Sequence, residues 1–269
     1  MELRACYFDI DGTLLGKDHV IHPRVLQSIE RLHQVGVAVG IATGRPWFAA
    51  KPIADMIGAN APCMSYSGAL LTDPTSDEIL SAHYLKQEDV EAVITLAREK
   101  GWHLELYDNK HYYVEQVTEL AHIHAEYLHE LPREHALTAI ASSANILKVV
   151  MMFEGEPSEE DISLLATRTE RTELAIAYGA AHPKIHFVNL TDTNARRTEA
   201  LSAICTRLGC TQAEIMAFGD GEADIPFLAE VRWGVAMGNA KDIVKQAASY
   251  TAASVEDYGV ARFLEEFLS

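Results

Sequence analysis

Three apolar runs of strand length, residues 3–8, 37–42 and 62–66, stop at loops of Asp, Gly, Thr or Ser, and two helical segments separate them. In the first segment Pro23 takes an opening position, Val25, Ile29 and Leu32 recur on one face, and Gly36 closes the helix. Pro46 opens the second segment and Gly58 stops it. Parallel strands cannot be joined by a tight hairpin, and a helical crossover is how the chain returns to the same edge. The alternation therefore predicts an α/β fold built on a Rossmann-like parallel sheet. It resumes after Asn194 with a helix over 196–208, a strand over 214–218, a short helix to about 230, a strand over 233–236 and a closing helix over 256–268.

Residues 83–187 follow another rhythm. Helical patterns over 89–100, 117–130 and 159–169 mix with short strands at 102–107, 111–114, 145–153, 174–178 and 185–188. Asp108-Asn109-Lys110 reads as a hairpin turn. This is the pattern of an α+β unit set into the middle of the first. Residues 1–82 and 188–269 are expected to form the core domain, and 83–187 the insert.

The 269 residues carry a formal charge of -17. That balance argues against nucleic acid and anionic membrane as partners, because phosphate backbones need clustered Lys and Arg. A small phosphorylated ligand stays compatible, since a metal and one or two cations can meet its charge locally. No apolar run approaches a membrane span, and Glu2 and Arg4 flank too short a run for a signal peptide. The four cysteines, Cys6, Cys63, Cys205 and Cys210, are scattered and read as reduced, mostly buried thiols. A cytoplasmic chain is expected; its oligomeric state is not written in the sequence.

The loop after the first strand holds the chemistry. Side chains alternate along an extended chain, so Asp9 and Asp11 project to one side, Ile10 to the other, and Gly12 lets the backbone turn away. Two carboxylates so close repel unless a cation neutralises them, and a hard dication such as Mg²⁺ suits oxygen ligands. Thr43-Gly44, at the end of the second strand, offers a hydroxyl and backbone amides to an anionic oxygen. Asp220 supplies a third carboxylate, with Asp224 one helical turn further on. Ligands of open parallel sheets bind outside the carboxyl ends of strands, where all three stretches fall. Acids that hold a metal beside a receiver of anions point to phosphoryl transfer.

With Asp9-Ile-Asp-Gly-Thr13, Thr43-Gly-Arg45, Gly219-Asp-Gly221 with Asp224, Ala236-Met-Gly-Asn-Ala240 and Gly259-Val260 in order, the sequence resembles the haloacid dehalogenase superfamily. More narrowly, it resembles the Cof-like phosphatases, which insert a cap domain between the second and third motifs. The resemblance implies that Asp9 attacks phosphorus and that Asp11 serves as acid, then base. It implies Mg²⁺ on the Asp9 and Asp220 carboxylates and the Asp11 backbone carbonyl, with Asp224 orienting water around the ion. It implies that Thr43, the amides of Gly44 and Ile10, and a cation from the third motif hold the phosphoryl oxygens. The family has Lys there; this chain offers Arg197, with Arg196 as rival. Ala223 and Ser67 stand where the family usually has Asn. The implied function is a Mg²⁺-dependent phosphatase of small phosphorylated metabolites such as sugar phosphates. A phosphomutase or phosphotransferase is the enzymatic alternative, and a weakly active phosphoester-binding protein, favoured by the three departures, is the other.

Other features point less far. His122 and His124, two apart on a helix, face different ways and are read as no metal site. Tyr107, His111, Tyr112 and Tyr113 either pack a sheet or line a substrate entrance. Lys148, in an apolar strand, either snorkels from an edge or reaches toward the active site. Trp47 is expected in the core, and the acidic run 154–161 on a solvated face at a helix start.

Overall fold

The computed structural model describes residues 3–178, 182 and 184–269. It divides into two compact units: residues up to Arg45 with Ala50–Ser81 and Arg196–Ser269 form the first, and Pro46–Ala49 with Ala82–Ala195 the second. The chain begins β1 (Ala5–Phe8), α1 (Pro23–Gln34), β2 (Ala38–Ile41), α2 (Trp47–Met56), β3 (Cys63–Ser65), β4 (Leu70–Thr72) and β5 (Ile79–Ala82). It continues α3 (Gln87–Lys100), β6 (His103–Tyr107), β7 (Tyr112–Val114), α4 (Glu119–Leu128), β8 (Arg133–Glu134), α5 (Leu137–Ser143), β9 (Lys148–Glu154), α6 (Glu159–Arg168), β10 (Thr172–Tyr178) and β11 (Ile185–Asp192). It then returns through α7 (Arg197–Leu208), β12 (Ile215–Gly219), α8 (Ile225–Glu230), β13 (Trp233–Ala236), α9 (Asp242–Ala247), β14 (Tyr250–Thr251) and α10 (Gly259–Phe267).

The first unit is organised by a five-stranded sheet in the order β14-β13-β12-β1-β2, parallel throughout. Every residue of β1, β12 and β13 is buried, as expected of strands covered on both faces. α1 turns Val25, Ile29 and Leu32 inward, and Arg24 ties it to α10 by a two-pronged pair with Glu265 at 2.8 and 2.5 Å. From β1 the chain first builds outward to β2, then returns on the other side through β12, β13 and β14. Strand order thus reverses between β1 and β12, where α/β sheets open their ligand crevice.

The third apolar run does not join this sheet as a full strand. β3 meets β2 through one parallel bridge, Ala42 with Met64, and its ladder is antiparallel with β4 in a separate sheet, β3-β4-β5. The reason is local. Tyr66 and Ser67 both adopt positive φ, 51° and 57°, so the chain doubles back at once instead of entering a crossover helix.

The second unit is a six-stranded sheet in the order β10-β11-β9-β6-β7-β8, antiparallel except for the short β7–β8 pairing. Leu104, Leu106, Val149, Met151, Val188 and Leu190 on one face share a core with residues of α3, α5 and α6. β9 lies between β11 and β6, so Lys148 is not on an edge strand; strand order comes from distant pairings that a local apolar run does not encode. Tyr107 and Tyr112 are buried and stacked at 5.1 Å, and Trp47 is buried. No helix among the described residues is long and apolar enough to cross a membrane.

Candidate active site

Four loops at the carboxyl ends of β1, β2, β12 and β13 supply the acids and their polar neighbours, and the start of α7 supplies Arg197. Phe8 ends β1 and Asp9 follows, its N–H donating to the Phe218 carbonyl of β12 at 2.9 Å. That bond draws the two strand ends together across the reversal point. Asp220 follows β12, and carboxylate oxygens of Asp9, Asp220 and Asp224 lie within 4.8 Å of one another. Gly12 makes the approach possible: a Cβ there would sit 2.2 Å from Asp220 Oδ2, and its φ is +78°.

Asp224 is spent on the architecture. Its Oδ2 accepts from the backbone N–H groups of Asp220 and Gly221 at 3.1 and 2.9 Å, and its Oδ1 pairs with Arg197 at 2.5 Å. A carboxylate so occupied shapes the loop that carries Asp220. Arg197, buried at the start of α7, also donates to the Ala42 carbonyl at 3.0 Å and lies 3.9 Å from Asp9. Its Nε has no hydrogen-bond partner among the described residues. Arg196 is exposed, so Arg197 is the third-motif cation brought to the acids.

The electrostatics follow from crowding. Burial, then the neighbouring charge of Asp224, push the Asp9 carboxyl well above its ordinary range, with Arg197 opposing and Asp11 and Asp220 adding. Burial, Asp224 and Asp11 likewise push Asp220 up to about 7. One buried guanidinium among three carboxylates leaves surplus negative charge. An all-oxygen, strongly acidic donor set of this kind fits Mg²⁺.

Asp11 does not turn its carboxylate into this cluster. It pairs with Arg45 through two bonds, 2.7 Å from Nε and 2.6 Å from a terminal nitrogen. Thr43 is buried, and its Oγ1 accepts the Arg45 N–H at 3.2 Å. Its carbonyl accepts the Ser67 N–H at 3.0 Å, and Ser67 Oγ lies 3.3 Å from where a Gly44 Cβ would be. Ile10 is fully buried, its carbonyl accepting from Thr13, Leu14 and Leu15 in the tight turn after β1. Ala223 is exposed.

Two residues stand out that sequence reasoning gave no role. Arg45 closes a motif, but nothing in the sequence names its partner. Asn239 donates to the Gly12 carbonyl at 2.9 Å and Asp220 Oδ2 at 3.1 Å, and accepts the Val255 N–H at 2.9 Å. It thereby laces three loops; the sequence places it in the Ala236-Met-Gly-Asn-Ala240 stretch but names none of these partners. His124, read as no ligand, pairs with the buried Glu105 at 2.6 Å.

A family model described as haloacid dehalogenase-like hydrolase matches residues 6–264. The 5-amino-6-(5-phospho-D-ribitylamino)uracil phosphatase YitU of Bacillus subtilis is 28% identical over 97% of this chain and 96% of its own length. An HMP-PP phosphatase of Yersinia pseudotuberculosis is 28% identical over 99% and 96%. The solved structure of the haloacid dehalogenase subclass IIB sugar phosphatase BT4131 superposes with a TM-score of 0.83, at 26% identity, over 98% of both chains. With the acids gathered where a parallel sheet reverses its strand order and a family match over nearly its whole length, this chain belongs to the haloacid dehalogenase-like hydrolases, among the Cof-like phosphatases.

Proposed function

We propose that the protein is a Mg²⁺-dependent phosphatase that hydrolyses small phosphorylated metabolites through an aspartyl-phosphate on Asp9. The observation that carries this reading is the approach of the Asp9, Asp220 and Asp224 carboxylates at the strand-order reversal, with Arg197 as their counter-charge among the described residues. Asp9, Asp220 and the Asp11 carbonyl would hold the ion. Bound there, Mg²⁺ neutralises the acids and draws negative charge from the phosphoryl oxygens. Thr43, the amides of Gly44 and Ile10, and Arg197 receive those oxygens.

An Asp9 carboxylate oxygen attacks phosphorus while the bond to the leaving oxygen breaks, and Asp11 gives that oxygen its proton. The Asp11 carboxylate then takes a proton from water as the water oxygen bonds to phosphorus and the bond to Asp9 breaks. Inorganic phosphate leaves and both acids are restored. The names of the relatives, a 5-amino-6-(5-phospho-D-ribitylamino)uracil phosphatase, an HMP-PP phosphatase and a sugar phosphatase, support a small phosphorylated metabolite as the substrate class. The cap domain is the part proposed to choose among them.

The test is p-nitrophenyl phosphate hydrolysis with and without Mg²⁺, on the native chain and on Asp9→Asn. Magnesium-dependent release that Asp9→Asn abolishes is the expected result. Binding of a phosphate analogue without turnover under any divalent ion would replace the enzyme by a phosphoester-binding protein. A panel of phosphorylated metabolites, with and without added alcohol acceptors, would then name the substrate and separate hydrolysis from phosphotransfer.

A further inference from the structure

Asp11 has neither carboxylate oxygen free. Arg45 Nε donates to Oδ2 at 2.7 Å and a terminal nitrogen donates to Oδ1 at 2.6 Å, the two parallel bonds of a guanidinium fork. The partners are unequal: the Asp11 side chain is 55% exposed and that of Arg45 only 7%. Arg45 is the fixed member. Its N–H is held by Thr43 Oγ1 at 3.2 Å and its carbonyl by the Tyr66 N–H at 3.0 Å, so the loop after β2 and the turn after β3 both brace it. A carboxylate tied at both oxygens cannot reach a leaving group without surrendering one bond. A lysine, a point charge, would not impose that choice.

We infer that Arg45 is the positioning residue for proton transfer by Asp11: it holds the carboxylate at rest by both oxygens, and the substrate's leaving oxygen takes over one of them while the other stays on the guanidinium. The inference rests on Asp11 being the acid and base of the proposed reaction. When one guanidinium bond opens, the freed oxygen takes a proton from solvent, and in the first step that proton passes to the leaving oxygen as the phosphorus–oxygen bond breaks. The carboxylate so formed closes the second bond to Arg45 again, opens it when water is deprotonated, and closes it once more when the proton taken from water passes to solvent. Arg45 touches neither phosphorus nor the leaving group in this scheme and acts only through Asp11.

Phenyl phosphate and p-nitrophenyl phosphate share a phosphoryl group and differ in how much their phenolates need a proton to leave. In one preparation the ratio of their kcat/KM values is independent of the fraction folded. Arg45→Ala is expected to lower kcat/KM for phenyl phosphate about tenfold more than for p-nitrophenyl phosphate, within the range of acid–base contributions. Asp11→Asn should show the same skew, and Arg45→Ala added to Asp11→Asn should change the ratio no further, the signature of one residue acting through another. Arg45→Lys, which keeps the charge but not the fork, should keep most of the skew. Equal losses on both esters, a native ratio in Arg45→Lys, or a further skew in the double variant each overturn the positioning role while leaving the phosphatase in place. An unskewed Asp11→Asn overturns the acid–base reading and the inference with it, and no turnover of either ester by the native chain overturns the proposed function.

Discussion

Asp9 in the first unit and Glu105 in the second are both carboxylates withdrawn from water, 8% and 0% exposed, yet their protonation is pushed in opposite directions. Burial would raise Glu105, but the charge of His124 and hydrogen bonds from His103 and His124 outweigh it and bring the carboxyl down to about 2. His103 Nε2 lies 3.1 Å from one oxygen, His124 Nδ1 2.6 Å from the other, and the Tyr107 hydroxyl donates at 2.5 Å. Asp9 has like charges around it and one arginine at 3.9 Å, and stays high. Glu105 is compensated by its own neighbours and acts as structure. The acids of the first unit are left short of positive charge among the described residues.

The sharpest way to break this contrast is at Asp9. Asp9→Asn should lower turnover by about 10³-fold or more while the chain still folds, read by steady-state kinetics beside a thermal melt. In the second unit the loss should fall on stability instead. Glu105→Ala strands two imidazoles and a phenol, and removing one partner of a buried pair costs about 3–5 kcal/mol, to be read from hydrogen exchange of β6 and β9 amides. A loss confined to turnover would reverse the assignment of the two centres.

Added Mg²⁺ should separate them again. At about 100 times its dissociation constant a bound ion stabilises by about 2.7 kcal/mol, and the melting shift should vanish in Asp220→Asn but survive in Glu105→Gln. The two centres should also answer pH with opposite sign. Glu105 is lowered from 4.5 to about 2, so the fold holds its proton less tightly than the unfolded chain does. Its contribution is present above 4.5 and is lost as pH falls toward 2. Asp220 is raised from 3.8 to about 7, so without metal the first unit should weaken as pH climbs between those values, and Asp220→Asn should flatten that slope. Exchange of β6 and β12 amides between pH 3 and 7 measures both. The smallest expected effect is at Asn239, where Ala removes bonds to Gly12, Asp220 and Val255 and should cost about 1–2 kcal/mol in thermal unfolding.

What the sequence disclosed and what it withheld divide along one line. Asp9 and Asp220 are legible because each follows an apolar run long enough to be a strand, and the α/β alternation says where such ends converge. Arg197 was legible from the third motif, with Arg196 kept beside it until burial separated them. Arg45 and Asn239 stand within the stretches that carry the resemblance, but their roles are not legible because their partners lie 34 and 227 residues away along the chain. The antiparallel turn at β3–β4 escaped for another reason: Tyr66 and Ser67 are not residues whose type announces positive φ. The helices α5 and α9 and the strand β14 are too short to show a period. Of the two readings of Lys148, the edge position fails because neighbours in a sheet are decided by pairings remote in sequence.

The bond from Asp9 to the Phe218 carbonyl has a consequence for how such a chain is made. β12 follows β1 by about two hundred residues, so it leaves the ribosome roughly ten to forty seconds after β1 at ordinary rates of synthesis. Until then the flank of β1 that awaits β12 is an open template for any passing strand. Half-made molecules therefore carry Asp9 without Asp220 and Asp224 beside it, and the acidic cluster closes only when the second half of the sheet arrives.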